Sequence, residues 1–336
     1  MLSLSWATLG CALLLLAGIC GLFFEKFHVA LEKRFRENPS TIFVAPLSLL
    51  CLYVLFAAGN GGLHVPHFMR VAAYFIAPTI FVFVSRGARH PAIYWGMALL
   101  VFWIPLDFGF VTTRWAQGPN GADWTYIVPA ATILGGILFR SFLGIESVKF
   151  SVRREDAPYG IAVVGIVLCV LALVLIPVAL PGSPVKFFAG FLVPQADLAH
   201  AKSFTEASGL IAGKLITPMF FLALVGIMLS TGLAEELLFR GIFQNLIEHK
   251  MRNTVFALAV VSIIFGAAHL EDPMANGVLY VAPKLLDPFT WNWPYMGMAT
   301  IAGVGYGFVF IATRSILFSA LLHALVDTIW GTLFVT

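Results

Sequence analysis

An all-α bundle of about nine or ten transmembrane helices is the fold class that this sequence predicts, on three observations. Of its 336 residues 60% are hydrophobic and only 11% charged, with a mean hydropathy of +0.93. A soluble domain would carry roughly 25% charged residues. The apolar residues fall into long runs, most of them near the roughly 20 residues that a helix needs to cross a bilayer. Lysines and arginines gather in alternate connecting segments. Backbone groups in lipid must be satisfied within their element, and continuous hydropathy favours helices over a barrel. The formal charge of +3 is too small to suggest a nucleic-acid partner.

Ten apolar stretches follow in order: 2–24, 41–58, 71–85, 92–106, 125–144, 159–181, 215–235, 254–270, 296–313 and 315–334. The first has no basic residue before it and no small-residue cleavage site leading into polar sequence, so it reads as an uncleaved helix. Its positive charges come after it. The third and fourth are short for spans. With alternating helices and the N-terminus outside, thirteen Lys/Arg fall on the inner side: Lys26, Lys33, Arg34, Arg36, Arg86, Arg89, Arg140, Lys149, Arg153, Arg154, Lys250, Arg252 and Arg314. Six fall outside, at Arg70, Arg114, Lys186, Lys202, Lys214 and Lys284. The bias predicts a cytoplasmic location for the thirteen. Arg240 alone is left inside an expected span.

The polar interruptions are 25–40, 107–124, 145–158, 182–213 and 271–295. The fourth, opened by Pro181-Gly182-Ser183-Pro184, is the expected domain boundary. It divides N-terminal helices of unassigned role, 1–205, from a segment 206–336 that holds nearly every ionisable residue inside a span. Cys11, Cys20, Cys51 and Cys169 lie scattered in apolar segments without metal or redox spacing and read as small packing residues. Trp291, Trp293 and Tyr295 suit the headgroup level. They would also suit a lid over a site.

Ionisable residues in spans default to function, and three segments carry them: "STGLAEELLFRGIFQNLIEHK" from 230, "FGAAHLED" from 265 and "HALVD" from 323. Residues four apart share a helix face, whereas neighbours point about 100° apart. Glu235 and Glu236 are therefore no same-face carboxylate pair. Glu236 lies one turn before Arg240 in the favoured order for an ion pair, which leaves Glu235 to face something else. Phe265 shares a face with His269, and His323 with Asp327. Glu236 with Arg240 reads as a structural pair. Glu235, His269, His323 and Asp327 could then converge on a polar pocket that holds a water molecule. A carboxylate in a low-dielectric cleft gains proton affinity, as a general base near neutral pH requires, and histidines could stabilise an oxyanion. Two histidines and a glutamate could equally bind zinc and activate a metal-bound water.

Other patterns carry less. His64 and His67 flank Pro66 without a third ligand. Glu271 and Asp272 precede Pro273 as an exposed helix end would. "GNGG" at 59–62 lacks the Lys-Ser/Thr of a phosphate loop, and neither His-Glu-x-x-His nor Gly-x-Ser-x-Gly occurs. A proton-coupled carrier would also bury Glu, His and Asp, but carriers show paired halves and residues 1–205 hold no matching set. A non-catalytic immunity or binding protein on the same scaffold is the other alternative.

Glu235-Glu236-x-x-x-Arg240, Phe265-x-x-x-His269 and His323-x-x-x-Asp327 together resemble the signature of the CPBP family. That family includes type 2 CAAX prenyl endopeptidases and bacterial relatives linked to bacteriocin processing and self-immunity. The resemblance covers roughly 215–334. It implies an intramembrane endopeptidase in which Glu235 activates water, Glu236 and Arg240 form the accompanying pair, His269 positions the water, and His323 and Asp327 support the oxyanion or the site's geometry. Prenyl proteases often carry asparagine where this chain has Asp327, a variation also found in bacterial relatives. The resemblance further implies no metal cofactor, a membrane-associated peptide or protein as substrate, and a place in the cytoplasmic membrane of a bacterium.

Overall fold

In a computed structural model, residues 6–60, 62–107, 111, 126–145, 149–150, 154–155, 157–167, 198, 200, 204–270 and 293–333 are described. Among them the chain is helical, with no strand. The helices are α1 Trp6–Leu22, α2 Glu25–Glu37, α3 Val44–Gly59 (entered through a 3₁₀ turn, Pro39–Phe43), α4 Val65–Ser85, α5 Pro91–Asp107 and α6 Ile127–Gly135. α6 runs on as a π-helix, Gly136–Phe142. Then come α7 Ala157–Val167, α8 Phe204–Leu215, α9 Pro218–Met251, α10 Thr254–Ala267, α11 Trp293–Thr313 and α12 Ile316–Leu333. Five stretches are long and apolar enough to cross a membrane: Pro39–Gly59, Val65–Ser85, Pro218–Met251, Tyr295–Thr313 and Ile316–Leu333. α1 and α2 pass that test only together, across a bend of 88°. The chain is an all-α integral membrane protein.

Three elements differ from the sequence reading. The stretch expected at 71–85 starts earlier, at Val65, because Pro66 in the first turn suits a helix start and Arg70 is tolerated near that end. α2 arises from a segment read as a polar interruption. Its residues are helix formers whose buried face carries only His28 and Phe35, so mean hydropathy misses it. α9 runs to Met251 rather than stopping near 235, because its polar residues are buried within the protein. The expected boundary at Pro181–Pro184, Cys169, and the loop residues Glu271, Asp272, Trp291 and Asn292 lie outside the described residues. Cys11 is buried, Cys20 half-buried and Cys51 exposed, and all three are free thiols.

The chain forms two compact units: Met1–Ser151 with Leu233–Ile242, and Val152–Gly232 with Phe243–Thr336. In the first, α1 lies on α6 closely enough that a Cβ on Gly136 would meet Leu22 Cδ2 at 2.8 Å. α2 is seated on the π-helix by His28, which is fully buried. Its Nε2–H donates to the Leu22 carbonyl at 2.8 Å, so in the neutral ring Nδ1 accepts from the Ser141 hydroxyl, 2.7 Å away. Phe150 stacks parallel to the imidazole, with centroids 6.1 Å apart.

In the second unit, α10 and α11 pack along their lengths through glycines. A Cβ on Gly307 would come within 2.4 Å of Leu258 Cδ1, and one on Gly266 within 2.6 Å of the Met296 carbonyl oxygen. Small residues at such crossings let backbones approach and build van der Waals contact, the main attraction between helices in lipid. The caps are local in origin. Thr217 Oγ1 accepts from the Phe220 amide at 3.1 Å ahead of Pro218, and Asn253 Oδ1 accepts from the Phe256 amide at 2.9 Å. Both follow the usual preferences for a helix start. Arg252, with φ at +51°, ends α9 in the left-handed region.

Candidate active site

The acidic motif sits on α9, and α9 is not a regular helix. It passes from α-helix to a π segment, Met228–Gly232, then four α residues, Leu233–Glu236, then a second π segment, Leu237–Gln244, and back to α-helix. π segments are rare and are frequent at functional sites. Glu235 and Glu236 thus occupy a short α segment between two widened turns, a feature without a recognised sequence signal.

Within the first unit this segment is held by apolar packing. Leu237 fills the space beside Gly135, where a Cβ would come within 2.9 Å of its Cδ2. Phe239 meets Trp103 edge to face at 5.7 Å. Glu236 and Arg240 are both 0% exposed, and Arg240 Nε lies 3.2 Å from Glu236 Oε2. The i,i+4 pair expected from the sequence is therefore formed and withdrawn from solvent. Glu235 is half-buried, and its Oε2 atom is buried.

The second unit holds the remaining residues. His269 lies in the turn that follows α10, and its Nδ1–H donates to the Phe265 carbonyl at 2.8 Å. A carbonyl only accepts, so in the neutral ring Nε2 carries the lone pair. The Phe265 ring is 4.8 Å from His269 and 5.7 Å from His323, the latter edge to face. Tyr306 of α11 stacks on His323 at 4.6 Å with 11° between the planes. It also meets Phe265 edge to face at 5.9 Å. Tyr295 stands against His269 at 5.4 Å. Asp327 Oδ2 lies 3.4 Å from His323 Nε2, with the aspartate side chain 39% exposed. Ser319, one turn before His323, donates to the Tyr306 carbonyl at 2.9 Å and fixes the two helices in register.

Three expected groupings are therefore present: Glu236 with Arg240, His323 with Asp327, and His269 with Phe265. The structure adds an aromatic bridge, since Phe265 touches both imidazoles. Tyr306 and Ser319 were not legible as site residues. The one available signal for Tyr306 was a large polar-tipped side chain inside the glycine run "GVGYG". His64 and His67 stand at the start of α4, with His67 6.0 Å from the Tyr53 ring. Among the described residues no group of three or more His, Cys, Asp or Glu could hold a metal ion.

These motifs can be set against known families. Residues 217–329 match the family model described as Type II CAAX prenyl endopeptidase Rce1-like. The matched segment covers about a third of the chain, includes α9 to α12 almost entirely, and contains all six residues singled out above. The match supports the CPBP intramembrane peptidase reading of the three motifs. No curated protein and no solved structure matches the chain. The first unit's helices α1 to α6 lie outside the Rce1-like segment.

Proposed function

We propose that the chain is an intramembrane endopeptidase that hydrolyses a peptide bond of a membrane-associated peptide or protein, with Glu235 as general base. The observation that carries this reading is the Rce1-like match, which spans all three motifs in order. The local geometry supports it. The buried Glu236–Arg240 pair adjoins Glu235 on one short α segment, and two histidines flank one phenyl ring.

Glu235 takes a proton from water as the water oxygen bonds to the scissile carbonyl carbon. His269, with its Nε2 lone pair available, accepts from that water and orients it. The tetrahedral intermediate carries an oxyanion. His323, held by Asp327 at Nε2 and by Tyr306 across its face, donates to that oxygen. Asp327 need not touch the oxyanion, because its Oδ2 engages Nε2 and leaves the ring's Nδ1–H to donate. The proton on Glu235 then passes to the leaving nitrogen and the C–N bond breaks. No step runs through a metal. Each proton-transfer role is worth about 10²- to 10⁴-fold in rate.

The charge bias of the loops supports an N-terminus on the outer face, and a bacterial cytoplasmic membrane would supply a substrate without a prenyl group. The test is purified protein in bilayers of defined composition, offered membrane peptides recovered by comparing cells with and without the active chain. Glu235→Gln should abolish cleavage while melting stays within about 1 °C of wild type. Full activity in that variant would remove Glu235 from the role of base. Proton uptake that depends on Glu235, with no peptide cleaved, would replace the peptidase by a carrier.

A further inference from the structure

The first unit contains an arrangement that the proposed reaction leaves unused. α1 is apolar and shows Leu13 and Leu14 to its surroundings, 57% and 61% exposed. The chain then turns through 88° into α2. α2, "EKFHVALEKRFRE", carries seven acidic and basic residues in thirteen, too many for hydrocarbon. With α1 across the bilayer, such a bend lays α2 along the membrane surface. α2 is also firmly seated on its inner side, through His28 on Ser141 and Phe35 edge to face on Phe142 at 5.4 Å. What it presents outward is therefore a fixed surface.

That surface is amphipathic in the manner of an interfacial helix. Phe24 and Phe27 are 65% and 36% exposed, three residues apart. Lys26 and Lys33, two turns apart on one face, are exposed with Arg34 and Arg36. Arg86 adds a cation at the far end, with its Nη1 donating to the Phe35 carbonyl at 3.4 Å and its guanidinium carbon 4.8 Å from the Phe142 centroid. Of the three glutamates, Glu25 is engaged by the buried Arg140. On α2 four exposed cations, Lys26, Lys33, Arg34 and Arg36, thus outnumber the two remaining carboxylates, Glu32 and Glu37.

We propose that α2 is an interfacial helix that binds anionic phospholipid headgroups, with Phe24 and Phe27 at the acyl boundary and Lys26, Lys33, Arg34 and Arg36 on the phosphates. Basic clusters next to a transmembrane helix attract anionic lipid with a strength that scales with the number of cations and falls with salt.

The experiment uses the full chain in nanodiscs of phosphatidylcholine alone or mixed with phosphatidylglycerol, with retained lipid read by native mass spectrometry. Wild type should hold phosphatidylglycerol in preference, less so as salt rises. The Lys26→Gln, Lys33→Gln, Arg36→Gln triple variant should lose that preference by about fivefold per cation removed, with unchanged melting in phosphatidylcholine. If the triple variant melts lower there, Lys33→Gln alone is measured, with a fivefold loss expected. Equal retention of both lipids by wild type overturns the proposal. So does an equal loss on replacing the exposed Lys250 of the second unit by glutamine, which would mean a general charge effect. Displacement of the lipid by inorganic phosphate would assign the cations to a free anion and overturn the lipid assignment as well.

Discussion

Gly266 gives the sharpest test of how the imidazoles are held, since it follows Phe265 directly and precedes His269 by three residues. A Cβ added there would lie 2.0 Å from Thr300 Oγ1 and 2.6 Å from the Met296 carbonyl oxygen. The hydroxyl cannot simply turn aside, because it donates to that same carbonyl at 2.8 Å. The oxygen belongs to the α11 backbone and moves only if the helix moves. Gly266→Ala therefore forces α10 and α11 apart by several tenths of an ångström, an overpacking that costs about 1–3 kcal/mol. Relief of glycine's helix penalty returns about 0.5–1 kcal/mol. Gly297→Ala on α11 is the control, because nothing lies within 4 Å of its would-be Cβ and only the favourable contribution applies. The two variants should differ by about 1–3 kcal/mol, or roughly 2–12 °C in melting temperature for a domain of 150–250 residues. Thermal unfolding in one detergent, followed by tryptophan fluorescence, measures the gap. Cleavage should fall in Gly266→Ala alone, as Phe265 is carried away from His323. Equal melting of the two variants would refute the close crossing and the aromatic bridge that depends on it.

Breaking the Glu236–Arg240 pair should be costlier. Arg240→Met leaves a carboxylate at 0% exposure without its guanidinium, a loss of about 3–5 kcal/mol, visible as lower melting together with lost activity; adding Glu236→Gln should recover part of the stability, and unchanged melting in the single variant would rule out the pair as a structural element. Tyr306→Ala removes the face on which His323 is stacked and should lower cleavage at least tenfold, whereas Tyr306→Phe keeps the ring and should stay within about threefold; parity of the two would separate Tyr306 from His323. Elemental analysis of active protein should find zinc well below one equivalent, with activity resistant to chelators, and stoichiometric zinc that tracks activity would replace the metal-free route.

The fold class was legible because hydropathy in lipid is a composition signal, and composition is local. The Glu236–Arg240 and His323–Asp327 pairs were legible for the same reason: i,i+4 spacing on a helix brings two side chains together without knowledge of tertiary structure. The remaining features needed partners. α2 falls within the polar interruption 25–40 because its buried face is only two residues wide in thirteen, which is amphipathic rather than apolar. The full length of α9 was hidden by Arg240 and Gln244, residues that would end a lipid-exposed span but are fully buried here. Tyr306 reaches His323 and Phe265 only because Ser319 and the glycines of α11 bring its helix close to α12 and α10. No residue spacing within α11 encodes that.

The length of α9 bears on where the chemistry would take place. Thirty-four residues at about 1.5 Å each reach roughly 50 Å, well beyond a hydrocarbon core of about 30 Å. Glu235 is seventeen residues from Pro218 and sixteen from Met251, so it stands near the middle of the helix. A charge there is stable only with partners or water. Glu236, one residue on, solves the same problem by pairing with Arg240 inside the fold. The short α segment between the two π segments offers a physical reason for the different fate of Glu235. An α-helix turns neighbours by about 100°, and widened turns before and after the motif re-aim the flanking faces while leaving the two carboxylates on regular backbone. The regular α segment alone then turns the two carboxylates about 100° apart. In this view Glu236 is the carboxylate paired inside the fold and Glu235 its differently aimed neighbour, while the widened turns set how the rest of the helix is faced.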